Sequence, residues 1–211
     1  MTLVRDDIDP AKTWVISDTH FGHKNIIEFC HRPVDHDQII MENWANAVGP
    51  DDTVVHLGDL CYKGNAEFRH LIAPHLTGAR KLLVLGNHDK NTYGFYKKCG
   101  FKLARPFEII WGSTRVSFSH YPWNEFGDEK FRIPAEGKQP RNSLRLHGHI
   151  HNSGYTRSAF VPFLAQHINL SVEQTKLRPV NLALLLLAAL DGRYPANNAA
   201  PNEVEKVSHH V

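Results

Sequence analysis

Short apolar runs recur along the chain, and several end in a polar turn that carries histidine or aspartate. Thr13–Ser17, Thr53–Leu57, Lys81–Leu85, Thr114–Ser119 and Ser143–His147 each read as strands bounded by Gly, Asp or Asn. The first three are almost continuous in Val, Ile and Leu, the pattern of strands covered on both faces. The other two alternate. Arg115, Ser117 and Ser119 interleave with Val116 and Phe118, and Arg145 and His147 with Leu144 and Leu146, which predicts one wetter face.

Helix signals lie between the strands. Asn25–Cys30 is short, and Asp37–Val48 puts Ile40, Trp44 and Ala47 on one stripe, with Asp37 as the expected cap and Gly49-Pro50 as the stop. Asn65–Ala73 carries Phe68, Leu71 and Ile72 before Pro74, and Thr92–Cys99 stops at Gly100. Strand–helix–strand order through the first half predicts an α/β fold with a parallel sheet. The later strands have less helix between them, so the sheet is mixed or there are two stacked sheets. The run Leu182–Leu190 is too short for a bilayer and reads as a packed helix. Residues 121–142, rich in charge and holding Trp123 and Phe126, read as a long loop that either anchors itself through those aromatics or stacks them on a base.

At 211 residues the chain suits one domain, expected over 1–192, with 193–211 as a disordered tail rich in Ala, Asn and Pro. The formal charge of +2 gives no sign of a basic nucleic-acid surface, although it does not exclude a local patch. Cys30, Cys61 and Cys99 form no CxxC pair, which argues against a disulfide frame or a zinc knuckle and for reduced thiols. With no apolar leader at the start, the expectation is a cytoplasmic protein that does not enter a membrane. Nothing in the sequence bears on oligomeric state.

Histidine changes the picture. There are 15 of them, and the informative ones stand in five clusters directly after predicted strands. These are Asp18-Thr19-His20, Gly58-Asp59, Gly86-Asn87-His88-Asp89, Ser119-His120 and Gly148-His149-Ile150-His151. In open α/β sheets ligands bind beyond the carboxyl ends of strands, so the clusters can share one crevice. In an extended turn residues i and i+2 point the same way, which lets Asp18 and His20 grip one ion; His149 and His151 grip one ion or two neighbours. Carboxylate, imidazole and amide oxygen without thiolate favour Mn²⁺, with Fe or Zn²⁺ as the other candidates. Two such ions roughly 3.5–4 Å apart activate water and hold phosphate oxygens for in-line displacement. Asp59 is placed to bridge them, and His88, flanked by Asn87 and Asp89, is free to act as a general acid.

These motifs, in this order over residues 14–151, resemble the calcineurin-like metallophosphoesterase superfamily, in particular its small bacterial and phage members. The resemblance implies a four-layer α-β-β-α sandwich of two mixed sheets flanked by helices. It implies one ion on Asp18, His20, Asp59 and His151 and a second on Asp59, Asn87, His120 and His149, with His88 as acid and Asp89 as its orienting partner. It also implies hydrolysis of phosphodiesters or nucleotide-like phosphate esters by a metal-activated hydroxide. Protein Ser/Thr phosphatases carry GDxVDRG and RGNHE, where this chain has Gly58-Asp59-Leu60-Cys61-Tyr62-Lys63-Gly64 and Leu85-Gly86-Asn87-His88-Asp89, so that class is disfavoured. A phosphomonoesterase and a non-catalytic scaffold of the same fold are the alternatives. A scaffold has no need of His88.

Outside the motifs, His23 and Asn25 either touch substrate phosphate or, for Asn25, cap a helix. Arg32 is a phosphate clamp or a solvated arginine. His56 and His147, inside strands, read as structural or supporting groups. His31, His36, His70 and His75 read as surface or capping residues.

Overall fold

The apolar runs become strands, shared between two sheets. The computed structural model is described for residues 3–62, 66–122, 143–152 and 167–190. Its strands are β1 (Leu3–Val4), β2 (Thr13–Ile16), β3 (Thr53–His56), β4 (Arg80–Val84) and β5 (Phe101–Ala104). They continue with β6 (Phe107–Trp111), β7 (Thr114–Phe118), β8 (Ser143–His147), β9 (His167–Asn169) and β10 (Val180–Asn181). The helices are α1 (Asn25–Cys30), α2 (His36–Ala47), α3 (Tyr93–Lys98) and α4 (Leu182–Leu190). A wide π turn at Phe68–Ile72 runs into a 3-10 turn at Ala73–His75, where Pro74 stops any longer helix.

The first sheet has the order β10-β2-β3-β4-β5, with β2 to β5 parallel and β10 antiparallel. The second has the order β1-β6-β7-β8-β9; β6 and β7 form an antiparallel hairpin and β7, β8 and β9 run parallel. Both sheets are therefore mixed, and helices flank them. Val15, Val55, Leu57, Leu82 and Val84 face Phe107, Ile109, Val116, Phe118, Leu144 and Leu146 across the inter-sheet core. Ile16, Val54, Leu83 and Phe101 point the other way, against Ile40 and Trp44 of α2, the π turn and Tyr96 of α3. Burial on both faces is why these strands lack a polar period. Leu182, Leu185 and Leu186 bring α4 into the inter-sheet core beside β2 and β10.

Several local expectations change. The N-cap of α2 is Asp35, two residues earlier than predicted; Asp37 lies inside the helix and accepts the Gly22 amide at 2.8 Å. That contact ties α2 to the loop after β2. At α3 the Thr92 hydroxyl does cap, accepting from the Phe95 amide. His36, expected at the surface, is buried beside the Asp37 carboxylate. The second sheet does alternate as predicted, but most of its polar face is covered: Glu108, Ser117, Arg145 and His147 are buried, while Arg115 stays partly exposed. Arg115 and Ser117 donate to Glu108 there, which is how a strand carboxylate tolerates burial. A helical layer over that face, the fourth layer of the expected sandwich, is not among the described residues. Nor are most of the predicted long loop (123–142) and the predicted tail. No described helix is long and apolar enough to cross a membrane.

Trp44 anchors the helix-to-sheet packing. Its side chain is fully buried, lies 6.4 Å from the His56 ring and donates from its indole to the Thr77 carbonyl at 3.0 Å. Trp44→Ala is expected to lower unfolding free energy by about 3–5 kcal/mol in urea titration. A loss under about 1 kcal/mol would mean that this packing is not what holds α2 in place.

Candidate metal centre

The loops leaving β2, β3 and β4 in one sheet and β7, β8 and β9 in the other open at the same edge of the sandwich. Backbone contacts stitch them together there. Ser17 bridges Ser171, the Asp18 amide donates to the Gly58 carbonyl at 2.9 Å, and Gly148 donates to His120 at 3.0 Å. Little space is left. A Cβ on Gly148 would fall 2.0 Å from Asp18 Oδ2 and Ser17 Oγ, and one on Gly86 would fall 2.2 Å from Asp59 Oδ1.

Within this edge the side chains of Asp18, His20 and His151 form one cluster, and Asp59 and His120 approach Asp18 in another. His151 Nε2 lies 3.5 Å from Asp18 Oδ1. Asn87 Oδ1, His120 Nε2 and His149 Nδ1 converge within 2.9–3.2 Å of one another. Asp59 stands between the groups. Its Oδ1 accepts the His88 amide at 2.8 Å, while its Oδ2 lies 3.5 Å from both His20 Nε2 and His120 Nε2. All seven sequence-predicted ligands, Asp18, His20, Asp59, Asn87, His120, His149 and His151, thus meet at this edge.

The backbone is strained where these ligands stand. Asp18, His20, Asp59, His149 and His151 all have φ between 48° and 73°. For residues with a Cβ the left-handed region costs about 1–2 kcal/mol each. The extended-turn expectation is therefore replaced: Asp18 and His20 share an ion-facing side through paired left-handed residues. Strain repeated at the same set of side chains points to a site whose geometry serves binding.

The electrostatics ask for positive charge. Burial pushes the Asp59 carboxyl up to about 6, the His120 imidazole and the His88 amide oppose this, and Asp18 adds to it. Burial opposes charge on Asp18 too, but His120, His151 and His20 outweigh it and hold that carboxyl below its ordinary value. Burial lowers His149 to about 4. At His151 burial is outweighed by contacts with Cys30, Glu173 and Asp18, which push the imidazole up to about 11. The buried carboxylates thus draw a proton onto one imidazole. His20 Nε2, fully buried, makes no hydrogen bond among the described residues, although Asp18, Asp59 and His151 surround it. A buried ring nitrogen without a partner, amid carboxylate and imidazole donors, fits a divalent cation of borderline hardness.

The remaining predicted residues take varied places. His88 is exposed, its ring 5.2 Å from that of His20 and edge-on to it. Asp89 does not orient that ring. Its oxygens accept from the amides of Asp59 (2.7 Å), Leu60 (3.1 Å) and Gly86 (2.8 Å) and from the Tyr96 hydroxyl (3.3 Å), which fills the capacity of a carboxylate. Its role is to hold two ligand loops together. His23 stands at the rim, stacked on Tyr62 at 4.8 Å and close to His20 and His88. Asn25 is exposed in the first turn of α1; the cap position there is Lys24, with no side-chain cap bond. Arg32 is neither a clamp nor solvated: its buried guanidinium donates to the Asp18 and Thr19 carbonyls and to Glu173.

The segment after β9 carries no sequence motif, yet it completes the edge. Ser171 Oγ donates to Asp18 Oδ2 at 3.0 Å, and Glu173 faces His151 Nδ1 at 3.1 Å. Its one signal was position, an Asn-Leu-Ser-Val-Glu stretch that follows the apolar 160–165 run by three residues. His56 was read as supporting, and its bonds show how. Its Nδ1 accepts the Gly58 amide, so Nε2 carries the proton and donates to Thr19 Oγ1, which in turn donates to the Leu60 carbonyl.

Strand-end loops gathering carboxylates, imidazoles and an asparagine around a shared aspartate define a candidate two-ion centre on an α/β sandwich. The chain belongs to the calcineurin-like phosphoesterase family, whose model matches residues 11–205. That family is metal-dependent, so divalent ions and phosphate ester substrates come with membership. An uncharacterized protein of Methanocaldococcus jannaschii is 28% identical over 180 residues, 83% of this chain and 89% of that protein. The gene 66 protein of Mycobacterium phage L5 is 29% identical over 67% of this chain and 78% of its own. Among solved structures, a protein of unknown function from Aquifex aeolicus superposes with a TM-score of 0.65 at 29% identity, covering 83% of this chain and 97% of that one.

Ions that bind only the folded chain should stabilise it. Saturating Mn²⁺, at about 100 times its dissociation constant, is expected to add about 2.7 kcal/mol per site, seen as a raised Tm that EDTA reverses. Asp59→Asn should lower the occupancy of both ion positions in metal analysis. A variant that keeps two full-strength ions would contradict a bridging Asp59.

Proposed function

We propose that the chain is a binuclear metallohydrolase of phosphodiesters or nucleotide-like phosphate esters, with His88 as the proton donor. The observation that carries this is Asp59: one oxygen lies 3.5 Å from imidazoles of both ligand groups while the other is held by the His88 amide. Asp18, His20, Asp59 and His151 would hold one ion, and Asp59, Asn87, His120 and His149 the other. The donor set suits Mn²⁺, with Fe or Zn²⁺ next. When bound, such a pair supplies water activated at neutral pH and neutralises charge on phosphate oxygens.

The chain's own residues supply the rest. His88 is exposed beside the buried ligands, where it reaches a leaving oxygen and gives it a proton. Its main chain is fixed to Asp59, so acid and ligand move as one unit. His23, next to His88 and stacked on the half-exposed Tyr62, faces the substrate side, and Asn25 opens α1 nearby in sequence. The substrate is a small phosphate ester or nucleotide. The three cysteines are free and buried, which suits a reducing compartment such as the cytoplasm.

The test is a Mn²⁺-supplemented panel of mono- and diesters, including cyclic nucleotides and short nucleic acids. Diester turnover is expected to lead; a preference for monoesters would replace the diesterase reading, and no turnover with any metal would end the enzymatic one. His88→Asn is expected to lower kcat about 10²–10⁴-fold on esters with poor leaving groups and less on activated aryl esters, with metal content unchanged. Equal loss of bound metal would make His88 a ligand instead.

A further inference from the structure

We propose that Glu173 is a positioning residue that makes the ion position of Asp18, His20 and His151 the tighter of the two, by holding His151 in the tautomer that offers Nε2. This rests on the two-ion reading of the site. A neutral imidazole has one N–H, and whichever ring nitrogen faces an acceptor keeps the proton. His151 Nδ1 lies 3.1 Å from both Glu173 oxygens, nearer than Nε2 lies to Asp18 at 3.5 Å, so when a cation takes the place of the Nε2 proton the remaining proton stays on Nδ1 and the Nε2 lone pair is the one offered.

Glu173 is itself fixed. Arg32 donates to Glu173 Oε1 through Nε at 2.8 Å and Nη2 at 2.6 Å, and to the Thr19 and Asp18 carbonyls at 2.7 and 2.6 Å. The network runs from the Asp18–His20 loop through Arg32 and Glu173 to His151, and returns to Asp18. The His151 carbonyl is held as well, by the amides of Asn169 at 2.8 Å and Gln174 at 2.9 Å. Both the ring and the left-handed backbone of His151 are thus held mainly by the end of β9 and the segment after it, with Cys30 also against the ring.

The other position lacks this support. His120 Nδ1 faces a neutral acceptor, the Leu57 carbonyl, at 2.9 Å, and its companions Asn87 and His149 carry no formal charge. Asp18 and Asp59 both belong to the first position, whereas Asp59 alone serves the second. A carboxylate behind a ligating histidine typically accounts for about 10- to 100-fold in metal affinity. The first position therefore fills first, and removing Glu173 narrows the gap between the two. Cys30, His151 and Glu173 also have donor atoms within 4.8 Å of one another, so Glu173 as a direct ligand of a further ion is the rival reading.

The experiment titrates Mn²⁺ into metal-stripped protein by calorimetry, with bound ions counted by electron paramagnetic resonance. Wild-type protein should show two steps, and Glu173→Gln should weaken the tighter one about 10- to 100-fold and leave the other unchanged. In Zn²⁺-loaded protein, ¹⁵N–¹H spectra of histidine should show an Nδ1–H signal for His151 that Glu173→Gln loses. If that variant fails to fold, Glu173→Asp carries the test, because it keeps a carboxylate beside Arg32 and withdraws it from His151; the same selective loss is expected. Unchanged or equally weakened steps overturn the proposal, as does a third ion that disappears with Glu173. Wild-type protein that takes up fewer than two ions overturns the two-ion reading, and this proposal with it.

Discussion

Two carboxylates confined in one buried pocket set the terms for the rest of this molecule. Asp18 and Asp59 are both almost completely buried, and burial together with their mutual repulsion drives Asp59 toward the protonated form. Buried like charges persist only where positive charge and hydrogen bonds compensate them. Imidazoles from three loops crowd around the pair, and one of them, His151, draws a proton. A pocket that recruits protons to balance its carboxylates is a pocket shaped for cations.

Holding that pocket open against its own repulsion falls to side chains that touch no ion position directly. Asp89 gathers three amides from the loops after β3 and β4. His56 links the Gly58 turn to Thr19, and Arg32 with Glu173 links the first loop to His151. Each is buried and each joins two different loops. Satisfied polar networks of this kind rigidify the groups they join, and they make five left-handed ligand residues tolerable where a single loop could not. The supporting groups are consequently as specific to the site as the ligands.

Candidate ligands were legible along the chain because metal chemistry accepts few side chains and strand ends place them in recognisable short clusters. Supporting roles were not. Asp89 stands in the same cluster as His88 and reads as its partner, but amides 29 and 30 residues away in sequence fill its oxygens first. Arg32 reads as a surface or phosphate-binding arginine until Glu173, 141 residues distant, is found against it. His36 reads as a surface residue and is buried. The apolar alternation of β7 and β8 announced the direction of each side chain correctly, but not that Ser117, Arg145 and His147 on the polar face are buried.

The sequence by itself determined five of the ten described strands, the α/β order and the side chains able to bind metal, because these depend on local period and on chemical type. The tertiary structure decided how the strands divide between two sheets, which nitrogen each histidine presents, and that the stretch from Asn169 to Glu173 belongs to the site. Those properties arise from contacts between residues far apart along the chain. A hydrogen bond that selects a tautomer, or a carbonyl that occupies a guanidinium, exists only once folding has brought both partners together.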